Sequence, residues 1–209
     1  MYLPEVLFHS SIRFEKPIVV YCDPFTVNTE YHDAEYILIT HDHFDHFSYE
    51  DCRKVQNENT TYICPFSCVS TLENAGISSQ KIIGLQPGEC LSKEDITVEA
   101  VPAYNVGKPF HSKDKNYLGY IIVLDSVRYY ICGDTDRNEE NSKVQCDVML
   151  VPIGGKYTMN CTEAAAFVNE IRQLVAIATH YGSGVVNPEE TGTDFIRNVK
   201  EPIQAILPW

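Results

Sequence analysis

The sequence lacks long apolar runs: nothing approaches the roughly 18 to 20 consecutive apolar residues that a membrane-spanning helix requires. The opening Met1-Tyr2-Leu3-Pro4-Glu5-Val6-Leu7-Phe8 has neither the basic n-region nor the apolar h-region of an export signal. The expectation is therefore a cytoplasmic protein whose 8 cysteines are reduced thiols. Positive charge is also scarce. Lys and Arg number 16 against 29 Asp and Glu, for a formal net charge of −13 and a pI near 4.9. Such a balance repels phosphate backbones and anionic lipid, which disfavours nucleic acid or a membrane face as partner. Cys64 and Cys68 are spaced as in zinc or redox motifs, but no second Cys/His pair lies nearby, and small buried hydrophobes are the simpler reading. There is no internal repeat and no low-complexity linker. At 209 residues and 23.7 kDa the chain suits one α/β domain spanning 1–209.

What is abundant is metal-ligand chemistry in one place. Thr40-His41-Asp42-His43-Phe44-Asp45-His46 packs three histidines and two aspartates directly after the apolar run Tyr36-Ile37-Leu38-Ile39. Imidazole and carboxylate are the ligands that zinc and similar divalent metals take. Crowded together they repel and desolvate one another, so the cluster asks for a cation. The apolar run reads as a buried strand, and Ser48 with Asp51 reads as a capping box opening a helix. The ligands then sit on a strand-to-helix loop.

Further along, the same pattern recurs. His9 to Phe14 and Ile18 to Phe25 read as two strands about Lys16-Pro17, and Thr61 to Cys64 as a strand. A helix is expected from Cys68 to Ala75, stopped by Gly76, followed by a short strand at Lys81-Ile82-Ile83. Ile96 to Val101 alternates as a half-buried strand, and Leu118 to Leu124 with Arg128 to Cys132 reads as a hairpin. Val148 to Val151, Val175 to Thr179 and Ile203 to Leu207 complete the strands. Asn160 with Glu163 caps a helix over Thr162 to Leu174, and a short one is expected around Asp194 to Val199. His41, Asp134 and His180 each follow an apolar run, and His111 lies on a Gly/Pro-rich loop after another. Ligands at strand ends occupy rigid positions from which side chains can meet above a sheet edge. A lone His9 is more often structural than ligating; Asp23, in Asp23-Pro24, is either a turn residue or a hydrogen-bond partner to a ligating histidine.

The order His41-x-His43-x-Asp45-His46 resembles the signature loop of the metallo-β-lactamase-fold hydrolases. Asp23-Pro24-Phe25, Pro102-Ala103-Tyr104-Asn105, Gly119-Tyr120-Ile121-Ile122, Gly133-Asp134-Thr135-Asp136, Pro152-Ile153-Gly154-Gly155 and His180-Tyr181-Gly182 are similar to the UlaG-like and NAPE-phospholipase-D-like branch of that fold. The resemblance implies a four-layer αββα sandwich with the metal site at one edge of the sheets, holding two divalent metals. Zinc is preferred on ligand chemistry and base rate, with manganese and iron open. Carried over by position, His41 and His43 hold the first metal, Asp45 and His46 the second, Asp134 bridges both and His180 completes the second. Relatives place a histidine right after the strand that ends here at Pro102, where this chain has Tyr104-Asn105. Either His111 reaches back as the missing ligand, or Asn105 lines the cavity.

A metal pair lowers the pKa of a bridging water, polarises the attacked oxygen and stabilises the leaving one. The implied activity is attack by a metal-bridging hydroxide on a small ester, lactone, amide or phosphodiester, with Asp45 also able to accept a proton. Asn105, Gly154, Gly155 and Tyr181 are the substrate-side candidates, with Lys156, Tyr104 and Tyr157 nearby. The Gly154-Gly155 N–H groups suit an anion or developing oxyanion, or they form only a tight loop. Two alternatives stand beside this: a tRNA-processing type of nuclease, disfavoured by the acidic balance, and a non-catalytic metal-binding or sensor protein of the same fold. A flavo-diiron enzyme would need a flavin domain for which this length has no room. The expected partner is a small-molecule substrate, with a homo-oligomer left open.

Overall fold

The computed structural model describes residues 1–185 and 192–209. The fold is mixed α/β with two sheets, as the sequence led one to expect, and the chain forms two compact units, Met1–Gln86 and Pro87–Trp209. Among the described residues no helix is long and apolar enough to cross a membrane.

In the first unit β1 (Glu5–Phe8), β2 (Ser11–Phe14), β3 (Val20–Cys22), β4 (Ala34–Leu38), β5 (Gln56–Pro65) and β6 (Ile82–Leu85) lie side by side in chain order. The first two pairings are antiparallel and the last three parallel. Parallel neighbours need crossovers, and α1 (Tyr49–Val55) and α2 (Phe66–Asn74) supply two of them. Cys52, Val55, Cys68 and Leu72 bury one side of these helices against Ile37, Ile39, Tyr62 and Cys64. All eight cysteines are free, and burial pushes the Cys64 thiol up to about 12.

Half of the expected capping box opens α1. Ser48 Oγ accepts the Asp51 N–H at 3.2 Å. The Asp51 carboxylate turns elsewhere, taking the backbone N–H groups of Thr26 and Val27 at 3.0 Å each and the Lys54 ammonium at 2.8 Å. It thereby ties the loop that follows Asp23 to the helix that follows the His/Asp cluster. Several boundaries differ from the sequence reading: β1 is unexpected, and β3 is shorter than Ile18 to Phe25. His9 and Ser10 form the turn between β1 and β2 instead of opening a strand, and His9 takes a left-handed φ of 54°. β5 starts at Gln56, where exposed Glu58 and Asn59 hide it, because Asn57 Nδ2 and Thr60 Oγ1 both donate to Ala34 O. α2 begins at Phe66 behind an N-cap proline, Pro65.

The second unit carries β7 (Cys90–Ser92), β8 (Thr97–Pro102), β9 (Leu118–Leu124), β10 (Val127–Ile131), β11 (Val148–Pro152), β12 (Val175–Thr179) and β13 (Gln204–Ile206). Their spatial order runs unbroken from β13 back to β7. Pairings among β7 to β10 are antiparallel, and those from β10 to β13 parallel. α3 (Cys161–Ile171) and α4 (Thr193–Asn198) make the crossovers on either side of β12. The Asn160/Glu163 box is complete, with bonds of 2.9 and 3.0 Å. α3 stops three residues short of the expected Leu174, since Arg172 adopts a left-handed φ of 62° and the Leu174 N–H bonds Asp147 O. Ala164, Phe167 and Val168 pack with Met149, Val151, Ala176 and Ala178, each large apolar side chain contributing roughly 1.5–3 kcal/mol.

Each sheet is thus an antiparallel half joined to a parallel half. The carboxyl ends of parallel strands are where open α/β sheets place their ligands. Asp23 follows β3, His41 lies three residues past β4, Asp134 three past β10, and His180 directly follows β12. The backbone before Asp134 is held close to β9: a Cβ on Gly119 would sit 2.6 Å from Cys132 O and 2.8 Å from Ile131 O. Backbone cannot retreat as a side chain can. Gly119→Ala is expected to cost about 3 kcal/mol, read as a lower urea midpoint at unchanged slope; an unmoved midpoint would show that the strand pair slides freely.

Candidate metal centre

In the first unit the four predicted ligands His41, His43, Asp45 and His46 are gathered on one loop, and a buried carboxylate organises them. Asp23, 1% exposed and at φ 49°, accepts the Thr40 N–H at 2.8 Å and the Thr40 hydroxyl at 2.6 Å. It also stands 2.7 Å from His46 Nδ1. With its own hydrogen committed to Asp23, Thr40 Oγ1 accepts from His41 Nδ1 at 3.0 Å. Both rings then carry their proton on Nδ1 and offer the Nε2 lone pair, the arrangement that fixes metal-binding histidines. His41 Nε2 and His43 Nδ1 stand 3.1 Å apart. Burial pushes the Asp23 carboxyl up from its ordinary range, while His46 and Thr40 pull it down. Asp45 Oδ2 lies 3.9 Å from His46 Nε2 and 3.2 Å from Nε2 of His9, which is fully buried.

In the second unit His111, Asp134 and His180 come together. Asp134 Oδ2 is 3.3 Å from His111 Nε2 and 3.1 Å from His180 Nε2, all three residues at most 4% exposed. His111 is oriented from behind. Asn105 Oδ1 accepts from its Nδ1 at 2.9 Å and from its backbone N–H at 3.1 Å, while Asn105 Nδ2 donates to Tyr157 O at 3.0 Å. The Tyr157 bond settles which end of the amide is oxygen, and the oxygen settles which nitrogen of His111 carries hydrogen. His180 holds a left-handed φ of 58°. Left-handed backbone is costly for a residue other than glycine, and His9, Asp23 and His180 are three of the described residues that adopt it. Imidazole and carboxylate donors, with the Nδ1 atoms of His41, His46 and His111 tied down, are the chemistry of a divalent transition-metal site.

The sequence profile described as a Beta-lactamase superfamily domain matches residues 5–180. A UPF0173 metal-dependent hydrolase of Thermoplasma acidophilum is 30% identical over 195 residues, covering 86% of this chain and 84% of the relative. The chain belongs to this family of metal-dependent hydrolases. A second UPF0173 metal-dependent hydrolase, from Archaeoglobus fulgidus, is 29% identical, with 93% of this chain and 89% of that one covered. Among solved structures, a Parabacteroides distasonis protein provisionally assigned as a metal-dependent hydrolase superposes with a TM-score of 0.84 at 25% identity, over 98% of this chain and 91% of its own. Igni18, a metallo hydrolase of Ignicoccus hospitalis, shares the fold with a TM-score of 0.79 at 22% identity, over 98% and 93% of the two chains.

The substrate-side candidates of this UPF0173 hydrolase have prior commitments. Asn105 spends its amide on His111 and Tyr157, as above. The Gly155 N–H donates to Met159 O at 3.0 Å, closing a tight loop at φ 84°. Tyr181 is buried, stacks on Trp209 at 5.2 Å and donates its hydroxyl to Trp209 O at 3.1 Å. Tyr104 donates to Glu140 Oε2 at 2.6 Å. Sequence reasoning gave His9 no ligand-side partner and passed over Thr40. The only local signals were a threonine abutting His41 and an Asp-Pro at a strand end; His9 is 36 positions from Asp45 and nothing near it announces the contact.

Proposed function

We propose that this chain hydrolyses a small substrate with the help of two divalent cations, zinc by preference. His41, His43 and His111 would hold the first, Asp45, His46 and His180 the second, and Asp134 both. The observation that carries the reading is the orientation of the histidines: His41, His46 and His111 each have Nδ1 tied to Thr40, Asp23 or Asn105, which leaves Nε2 as the ligating atom. The motif stretches from Asp23-Pro24-Phe25 to His180-Tyr181-Gly182 support the UlaG-like and NAPE-phospholipase-D-like branch, and one domain over 1–209. When bound, the cations supply water activation near neutral pH and polarisation of the attacked oxygen.

The protein's own part is positioning and proton handling. Asp23 and Thr40 hold two rings in the ligating tautomer. Asn105 does the same for His111 and is assigned here to orientation. His9 Nε2, facing Asp45 Oδ2, would hold the Asp45 carboxylate in place, the group to which a proton-accepting role is assigned. No serine or cysteine nucleophile is required.

Metal analysis of protein purified without chelator should give close to two equivalents per chain. Dialysis against a chelator should remove them and abolish hydrolysis of an ester panel, and zinc should restore it. A single equivalent with full activity would reduce the site to one metal, and full activity of the stripped chain would end the proposal.

A further inference from the structure

We infer that the substrate of this site is uncharged and carries an apolar group, so that the scissile bond is a carboxylic ester, lactone or amide and not a phosphodiester. This rests on the hydrolase reading and narrows it. Two independent observations carry it, one about charge and one about exposed aromatic surface.

Beside the metals themselves, an anionic substrate is recognised by free cationic side chains. Residues 17–52, which include the whole His/Asp loop, contain no Lys or Arg and eight acidic residues, among them exposed Asp42. In the loops around His111 and Gly154-Gly155 there are four lysines; Lys115 is exposed, and the other three have partners. Lys108 Nζ donates to Asp136 Oδ1 at 2.6 Å and to Thr158 O at 2.7 Å. Lys113 is paired with Glu140 at 2.5 Å, and Lys156 lies over the Tyr157 ring at 4.9 Å from its centroid. The Gly155 N–H, the other anion donor the sequence suggested, is already bonded to Met159 O. A substrate with a phosphodiester charge would meet the carboxylates of the His/Asp loop, while three of the four lysines in the other loops are already engaged.

The apolar surface is placed by covalent linkage. Phe44 stands between His43 and Asp45 and is 71% exposed; its ring meets Phe25 edge-on at 6.1 Å, which in turn leans on Phe8 at 6.1 Å. Phe110 immediately precedes His111, is 37% exposed and sits edge-on to Tyr157 at 4.7 Å. Consecutive Cα atoms are about 3.8 Å apart, so neither ring can lie far from its neighbouring ligand. Large exposed aromatic surface beside convergent polar groups is the composition of a small-molecule site.

The test uses metal-loaded, full-length protein and two hydroxamic acids that share a metal-binding head: acetohydroxamate and octanohydroxamate. Calorimetry should give octanohydroxamate an affinity roughly tenfold or more above acetohydroxamate. Phe44→Ala, exposed and so neutral for folding, should erase most of that difference by weakening the long ligand alone, and Phe66→Ala, equally exposed but outside the loop, should leave it intact. In turnover, 4-nitrophenyl octanoate should surpass 4-nitrophenyl acetate through KM, and bis(4-nitrophenyl) phosphate should be the poorest of the three. Equal affinity for the two hydroxamates, a tail preference untouched in Phe44→Ala, or preferred turnover of the phosphodiester would each overturn the inference. A chain that takes up no metal and binds neither hydroxamate would fail one step earlier, at the hydrolase reading, and metal analysis tells that failure apart.

Discussion

Asp134→Ala should lower turnover on the order of a thousandfold, about 4 kcal/mol of transition-state stabilisation, and should drop the metal content below two equivalents. Asp134 Oδ2 is the atom on which His111 and His180 converge, at 3.3 and 3.1 Å. Removing it takes away the one anionic donor among those three and leaves two imidazoles to hold a cation alone. A trivial explanation, that the variant unfolds, can be separated from this one. A buried carboxylate is expensive to keep without a cation, so the metal-free variant should melt no lower than the metal-free parent. What it should lose is the rise in Tm on adding zinc, since only binding to the native state produces that rise. Asp134→Asn, which keeps the shape and one neutral oxygen, should fall between the two. Unchanged turnover and metal content in Asp134→Ala would remove the centre of the proposed site.

Changing Asp23 should have the second largest effect, and the choice of replacement separates folding from metal binding. Asp23→Ala orphans the Thr40 N–H, the Thr40 hydroxyl and His46 Nδ1 in a place that is 1% exposed. Buried donors left without an acceptor cost about 1–3 kcal/mol apiece and are not strictly additive, so a loss of about 3–5 kcal/mol is expected in urea denaturation. Asp23→Asn should be milder for the fold, because asparagine tolerates the φ of 49° and its oxygen can still accept from Thr40. Its NH2 group, however, would face His46 Nδ1, where a carboxylate oxygen now stands. His46 would have to move its proton to Nε2 and become a donor where a metal needs a lone pair. Metal affinity should therefore fall by about 10- to 100-fold while the chain stays folded, as competition titration with a chromophoric chelator would show. Wild-type affinity in Asp23→Asn would mean that His46 is not held through Asp23.

Much of this molecule is visible in the order of its residues because the decisive interactions there are local. His41 to His46 crowd ligands into a single loop; β12 ends at Thr179 as its apolar run does, and β9 spans Leu118 to Leu124 as read. The Asn160/Glu163 box reaches across three positions and closes as expected. Where local pattern misled, a long-range partner had intervened. Asn57 and Thr60 look like loop residues until they bond to Ala34 O, and the end of α3 is set by Asp147, far from it in sequence.

The sequence by itself determined the donor chemistry of the His/Asp cluster, the strand-end placement of His41, Asp134 and His180, and the absence of Lys and Arg from residues 17–52, because each is a property of neighbouring residues. Only the tertiary structure decided that Asn105 turns to His111 and Tyr157, that His9 reaches Asp45, and that Asp23 ties Thr40 and His46 together. Those contacts join groups 6 or more positions apart through rotamers and left-handed backbone at His9, Asp23 and His180, which no short window of sequence specifies.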